Sequence, residues 1–166
     1  MINKINNLPQ SKFIEIFANI FEKTKWIAER LYNQKPFNSF EDLCFKMLEI
    51  LKTTGKENQL KIIKAHPELA DETKISLLTI DSRAEQKRAR LNQCSEKEFN
   101  EFKNLNDEYK KKFGFPFILA VGGKNKIEIL KKFKKRILNS IDDEFNEAIS
   151  QVCKIANLRL NKINIK

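Results

Sequence analysis

The stretch SEKEFNEFKNLNDEYKKKFG, residues 95–114, decides the fold. Its Phe99, Phe102, Leu105, Tyr109 and Phe113 recur three or four positions apart, the period of one face of an α-helix. Ser95 and Glu98 form an S-x-x-E capping box at its start, each side chain satisfying a backbone N–H that the first turn leaves open. Gly114 ends it. Phe115-Pro116-Phe117-Ile118-Leu119-Ala120-Val121 follows, then Gly122-Gly123. Pro116 forbids helix there, so 115–121 reads as one short extended segment. It has no sheet partner in sight, yet its backbone N–H and C=O groups must bond to something. Another loop, water, or a ligand rich in amide groups would each serve.

The helical pattern repeats on both sides. Downstream, Ile127, Leu130, Phe133 and Ile137 predict an amphipathic helix, with Lys131-Lys132-Phe133-Lys134-Lys135-Arg136 as its solvated face carrying one core Phe. Ser140 and Asp143 start a last helix whose stripe is Phe145, Ala148, Val152, Ile155 and Ala156. Arg159 falls in the middle of that stripe at about 100° per residue. An arginine there is seldom fully buried unless paired. Either the helix end has reached solvent and the side chain snorkels out, or its guanidinium points into a pocket to bind a carboxylate or amide oxygen.

Upstream, Ser11 predicts a helix start, running to about Lys23, with Phe13, Phe17, Ile20 and Phe21 on one face. Trp26, Ile27, Arg30 and Leu31 predict a second helix ending near Asn33, followed by a turn at Pro36-Phe37-Asn38. Ser39 caps a third with Asp42 at its N3 position, and Gly55 stops it. A shorter helix, about 57–65, leads to the only histidine, His66. Pro67 pushes His66 toward extended geometry and suits the first position of a following helix, with Glu68, Asp71 and Glu72 near its positive end. Only histidine titrates unperturbed near neutral pH, so His66 is the natural proton carrier. It could equally pack or cap. Ser82 and Glu85 form another capping box, a full structural explanation for both, and that helix runs to about Asn92.

With 166 residues, 41% of them apolar, and 13 Phe, the chain can bury its own core as a single domain, 1–166. Four Gly and four Pro are sparse punctuation. The expected class is therefore all-α, a single-domain bundle of about eight helices. Cys44, Cys94 and Cys153 form no CxxC pair and read as buried thiols of a reducing compartment. One His and no clustered Cys argue against a zinc site. No secretory h-region follows Met1, and the longest apolar run, 115–121, is too short to span a membrane, so the cytoplasm is the default. The net charge of +10 fits a nucleic-acid face, steering of a small anion, or a lysine-rich solvated surface.

Taken together, His66-Pro67-Glu68-Leu69-Ala70, Ser82-x-x-Glu85-Gln86, Lys112-Phe113-Gly114-Phe115-Pro116-Phe117-Ile118 and Ile155-Ala156-Asn157-Leu158-Arg159-Leu160 resemble the 2-oxo-4-hydroxy-4-carboxy-5-ureidoimidazoline (OHCU) decarboxylases. Trp26, Pro36-Phe37 and Phe40 extend the resemblance over nearly the whole chain. The family commonly has glycine after the position of Ala89, where this chain has Arg90, and cysteines that often precede the tryptophan are absent.

The resemblance implies an all-helical homodimer that converts OHCU to (S)-allantoin, the last step of urate oxidation, without metal or organic cofactor. His66, Glu85 and Arg159 match its catalytic positions. Pro67, Ser82, Arg83, Ala84, Glu85, Gln86, Phe117, Ile118, Leu119, Ala120 and Val121 match its substrate-contacting positions. It implies a small anionic substrate and neither a nucleic-acid nor a membrane partner. The competing reading is a basic helical nucleic-acid-binding or interaction module, for which no helix-turn-helix spacing or exposed aromatic platform is evident.

Overall fold

A computed structural model describes residues 1–70, 82, 84, 85, 87, 91 and 94–163. Eight helices are delimited: α1 Ile2–Asn6, α2 Gln10–Phe17, α3 Lys25–Tyr32, α4 Phe40–Thr53, α5 Lys56–Lys64, α6 Glu96–Phe113, α7 Lys126–Arg136 and α8 Ile141–Leu160. Ser82, Ala84, Glu85 and Lys87 are also helical. No strand forms among the described residues, and the class is all-α. No described helix is long and apolar enough to cross a membrane. The expected continuation to Asn92 through Ala89, the first-turn acids Asp71 and Glu72, and Arg90 lie outside the described residues.

The chain forms two compact units, one of Met1–Ala65 with the chain from Cys153 onward, the other of His66–Val152. In the first, Phe13, Phe17, Ile27, Leu31, Leu43, Met47 and Leu51 are fully buried. Each large side chain removed from water contributes about 1.5–3 kcal/mol. Phe13 sits at the centre, with Phe17, Tyr32 and Phe37 at ring distances of 4.5, 5.4 and 6.0 Å. Asn6 ties α1 to the 33–38 connection by donating to the Phe37 carbonyl at 2.8 Å and accepting its N–H at 2.9 Å. Ser39 accepts the Asp42 N–H and caps α4 as the sequence predicts.

The α2 boundaries differ from expectation. The helix begins at Gln10 after Pro9 and ends at Phe17, so Ser11 lies inside it. Lys23 has a positive φ of 53°, which no right-handed helix accommodates. Ile20 and Phe21 are nevertheless buried, as their spacing suggested.

The second unit is built on aromatic rings. Tyr109 contacts Phe113, Phe115, Phe117 and Phe133 at 4.5–5.9 Å. The Ser95–Glu98 capping box is present in both directions. Gly114 takes the left-handed conformation at φ 76°, and its N–H bonds the Lys110 carbonyl. Gly114→Ala is expected to cost about 1–2 kcal/mol, the penalty of a Cβ in that conformation. The penalty is backbone alone, because a Cβ there meets nothing within 4 Å. Urea unfolding at fixed protein concentration measures it; an unchanged midpoint would contradict the assignment.

In α7 the buried stripe is Ile129, Phe133 and Arg136. Ile127 is 76% exposed, in the first turn on the opposite side. The basic run 131–136 is therefore a solvated face only in part: Arg136 is 7% exposed and belongs to the core. The cysteines are half-buried rather than buried. Burial pushes the Cys44 thiol up to about 11 and raises Cys153 as well. Both shifts disfavour the thiolate, the nucleophilic form.

Candidate active site

His66 follows the last turn of α5, whose C-cap is Ala65. It is half-buried and stands in a bend, off the helix, as Pro67 dictates. The helix expected to begin at Pro67 does not form over 67–70. Pro67 and Glu68 are irregular and half-buried, and Ala70 has a positive φ of 56°. Side-chain contacts hold this turn instead. Asn106 Nδ2 donates to the Leu69 carbonyl at 2.9 Å, and Lys110 pairs with Glu68 at 3.0 Å. The turn after His66 is thus pinned to α6, where Asn106 occupies the buried stripe beside Phe102 and Tyr109.

Ser82 is 2% exposed, and Ala84 and Glu85 are half-buried. Ser82 and Glu85 are both helical. Arg83 and Gln86 lie outside the described residues.

Phe117, Ile118, Leu119 and Val121 are buried and Ala120 is half-buried, in a stretch with neither helix nor ladder. The Phe117 ring stacks on Phe133 at 3.9 Å, with the Arg136 guanidinium 4.5 Å from its centre. The question of the segment's backbone partners has a partial answer in side chains of α7 and α8. Arg136 Nη1 donates to the Ile118 carbonyl at 2.6 Å, and the Ala120 N–H donates to Gln151 Oε1 at 3.0 Å. The Val121 carbonyl accepts from Lys124 N at 3.0 Å, closing the Gly122–Gly123 turn.

Behind the segment lies a buried charge cluster. Glu144 is fully buried and accepts from Arg136 Nε at 2.9 Å, from Asn139 Nδ2 at 2.8 Å and from the Tyr109 hydroxyl. The Tyr109 hydroxyl is pushed far above its ordinary range by burial and by the adjacent carboxylate. Arg136, Glu144 and Gln151 were not singled out from the sequence. A signal existed: Arg136 shares the 129–133 stripe, as Arg159 shares that of α8.

Arg159, in the other unit, is 2% exposed, which rules out the snorkelling alternative. Its Nη2 lies 3.3 Å from Glu22, and its Nη1 donates to the Ile20 carbonyl at 3.1 Å. Glu22, itself 5% exposed, had no sequence signal because its partner is far along the chain. His66, Ser82, Ala84, Glu85 and Phe117–Val121 thus belong to one compact unit and Arg159 to the other. Among the described residues no group of three or more His, Cys, Asp or Glu could hold a metal ion.

Positions 6–161 match the OHCU decarboxylase family. The 2-oxo-4-hydroxy-4-carboxy-5-ureidoimidazoline decarboxylase of Haloferax volcanii is 35% identical over 159 residues, 96% of this chain and 93% of that protein. The uric acid degradation bifunctional protein of Bacillus sp. (strain TB-90) is 41% identical over 162 residues, 98% of this chain but 32% of that protein. The chain thus spans about a third of the bifunctional relative's length. The crystal structure of an (S)-allantoin synthase superposes with a TM-score of 0.79 at 26% identity, covering 99% of this chain and 54% of that one.

Proposed function

The chain belongs to the OHCU decarboxylase family, and from that premise we propose that it decarboxylates OHCU to (S)-allantoin in urate degradation, as one domain over residues 1–166. The observation that carries this reading is the family match over 6–161, together with the likeness to nearly the full length of the Haloferax volcanii decarboxylase. The enzyme class is a carboxy-lyase.

The substrate is a five-membered ureido ring bearing a carboxylate. Its C–C bond to the carboxylate breaks heterolytically and CO2 leaves. The electron pair enters the ring's conjugated imine and carbonyl system, and one proton is then added to carbon. The ring supplies its own electron sink, so the reading calls for no cofactor. The protein must hold the carboxylate, orient the ring and deliver the proton to one face.

His66 is the proposed general acid. Its off-helix position, on a turn pinned by Asn106 and Lys110, supports that role. Glu85 is assigned to orient His66 or the substrate hydroxyl. Arg159, held by Glu22 and the Ile20 carbonyl, is assigned to anionic oxygens, which a guanidinium grips bidentately. Pro67, Ser82, Arg83, Ala84, Gln86 and the 117–121 backbone are assigned to substrate contact. The net charge of +10 would favour approach of an anion. A homodimer acting in the cytoplasm, with no nucleic-acid or membrane partner, completes the reading.

Circular dichroism of allantoin formed from freshly generated substrate tests it. Uncatalysed protonation from both faces gives a racemate with no signal. The expected result is rapid appearance of one enantiomer with the purified chain. Racemic product at the uncatalysed rate, with folded protein, would overturn the proposal.

A further inference from the structure

Two buried polar side chains hold the 117–121 segment from behind, and neither belongs to the motifs that identify the family. Arg136 Nη1 donates to the Ile118 carbonyl while its Nε is bound to Glu144. Gln151 Oε1 accepts the Ala120 N–H while its Nε2 donates to Glu147 Oε1 at 2.7 Å. Glu147 fixes which way the Gln151 amide faces: an ionised carboxylate only accepts, so the NH2 turns to Glu147 and the oxygen to Ala120. Arg136 is fixed in the same way, because Glu144 holds one side of its fork and leaves Nη1 aimed at Ile118.

Stability alone is a poor account of these groups. A buried ion pair contributes little over apolar residues of the same volume. What a fully bonded polar network supplies is rigidity at named atoms. Here those atoms are the backbone groups of residues 118 and 120, on either side of Leu119. We propose that Arg136 and Gln151 are positioning residues that pin the segment on both sides of Leu119, so that its backbone meets the substrate's amide groups in one register. This rests on the decarboxylase reading and deepens it.

The test compares wild type, Gln151→Leu, and the exchanged pair Gln151→Glu with Glu147→Gln. Gln151→Leu takes the acceptor from Ala120. It is expected to raise KM about tenfold with kcat nearly unchanged, the signature of lost uniform binding. The exchanged pair keeps an acceptor for the Ala120 N–H and a donor to that acceptor. It is expected to return KM to within about threefold of wild type, as restored donor–acceptor geometry requires. A purely structural role would show as a lower melting temperature with wild-type KM in the folded enzyme, and would overturn the proposal. So would an exchanged pair no better than Gln151→Leu.

Amide hydrogen exchange at Ala120 judges the clamp without turnover. Slow exchange in wild type that becomes fast in Gln151→Leu supports it; fast exchange in wild type overturns it. An inactive wild type with a protected Ala120 would sink the decarboxylase reading and leave the clamp standing.

Discussion

His66→Ala is expected to lower kcat by about two to four orders of magnitude, the usual contribution of a positioned general acid. Residual product is expected to be racemic, because protons then arrive from solvent on both faces. Little stability should be lost. The residue is half-buried and follows the helix rather than filling a core position, and changes outside the core typically shift stability by about 0.5 kcal/mol or less. The readout is the circular dichroism of allantoin per mole of enzyme, alongside a thermal melt. A folded His66→Ala protein that keeps more than about a tenth of wild-type kcat and still gives one enantiomer would remove His66 from the proton-transfer step.

The second large effect is on stability. Glu144→Ala strips Arg136, Asn139 and Tyr109 of their common acceptor and leaves a guanidinium uncompensated in a core position. Breaking a buried pair from one side costs about 3–5 kcal/mol. For a chain of this length that corresponds to a fall in melting temperature of about 6–20 °C. Removing both charges is expected to do less harm than removing one, since Arg136→Met with Glu144→Leu leaves no orphaned charge. Melting curves at one protein concentration decide this. A double variant as unstable as Glu144→Ala would mean that the acceptor lost to Tyr109 and Asn139 in both variants, rather than the orphaned charge, carries the cost.

The elements read correctly from sequence are those written in short-range grammar. Ser39 with Asp42, Ser95 with Glu98, and Ser140 with Asp143 each bond within four residues, so their signal is complete locally. The α8 stripe was legible for the same reason, and it put Arg159 in the core before any partner was known. Partners were not legible. Glu22 and Ile20 meet Arg159 across more than a hundred residues, and no spacing rule reaches that far. The basic run 131–136 misled because composition was read in place of angle: Arg136 lies three residues from Phe133, on its face, whereas its lysine neighbours do not. The turn after His66 was missed because Asn106 and Lys110, which hold it, lie 37 and 42 residues along the chain from their partners.

Gly55, at φ 88°, both ends α4 and opens α5. No loop separates the two helices, and α5 runs on to within two residues of His66. The count of residues from Gly55 to Lys64 therefore sets the phase of the α5 face that packs into its own unit. One residue added or lost at the start of α5 would turn the buried Ile62 and Ile63 by about 100° around the helix axis and shift them by about 1.5 Å, out of their core positions. Chain-length variation among natural sequences of this type should accordingly be absent between residues 40 and 64. It should collect in the exposed Gly122–Gly123 turn, where extra residues disturb no helix phase.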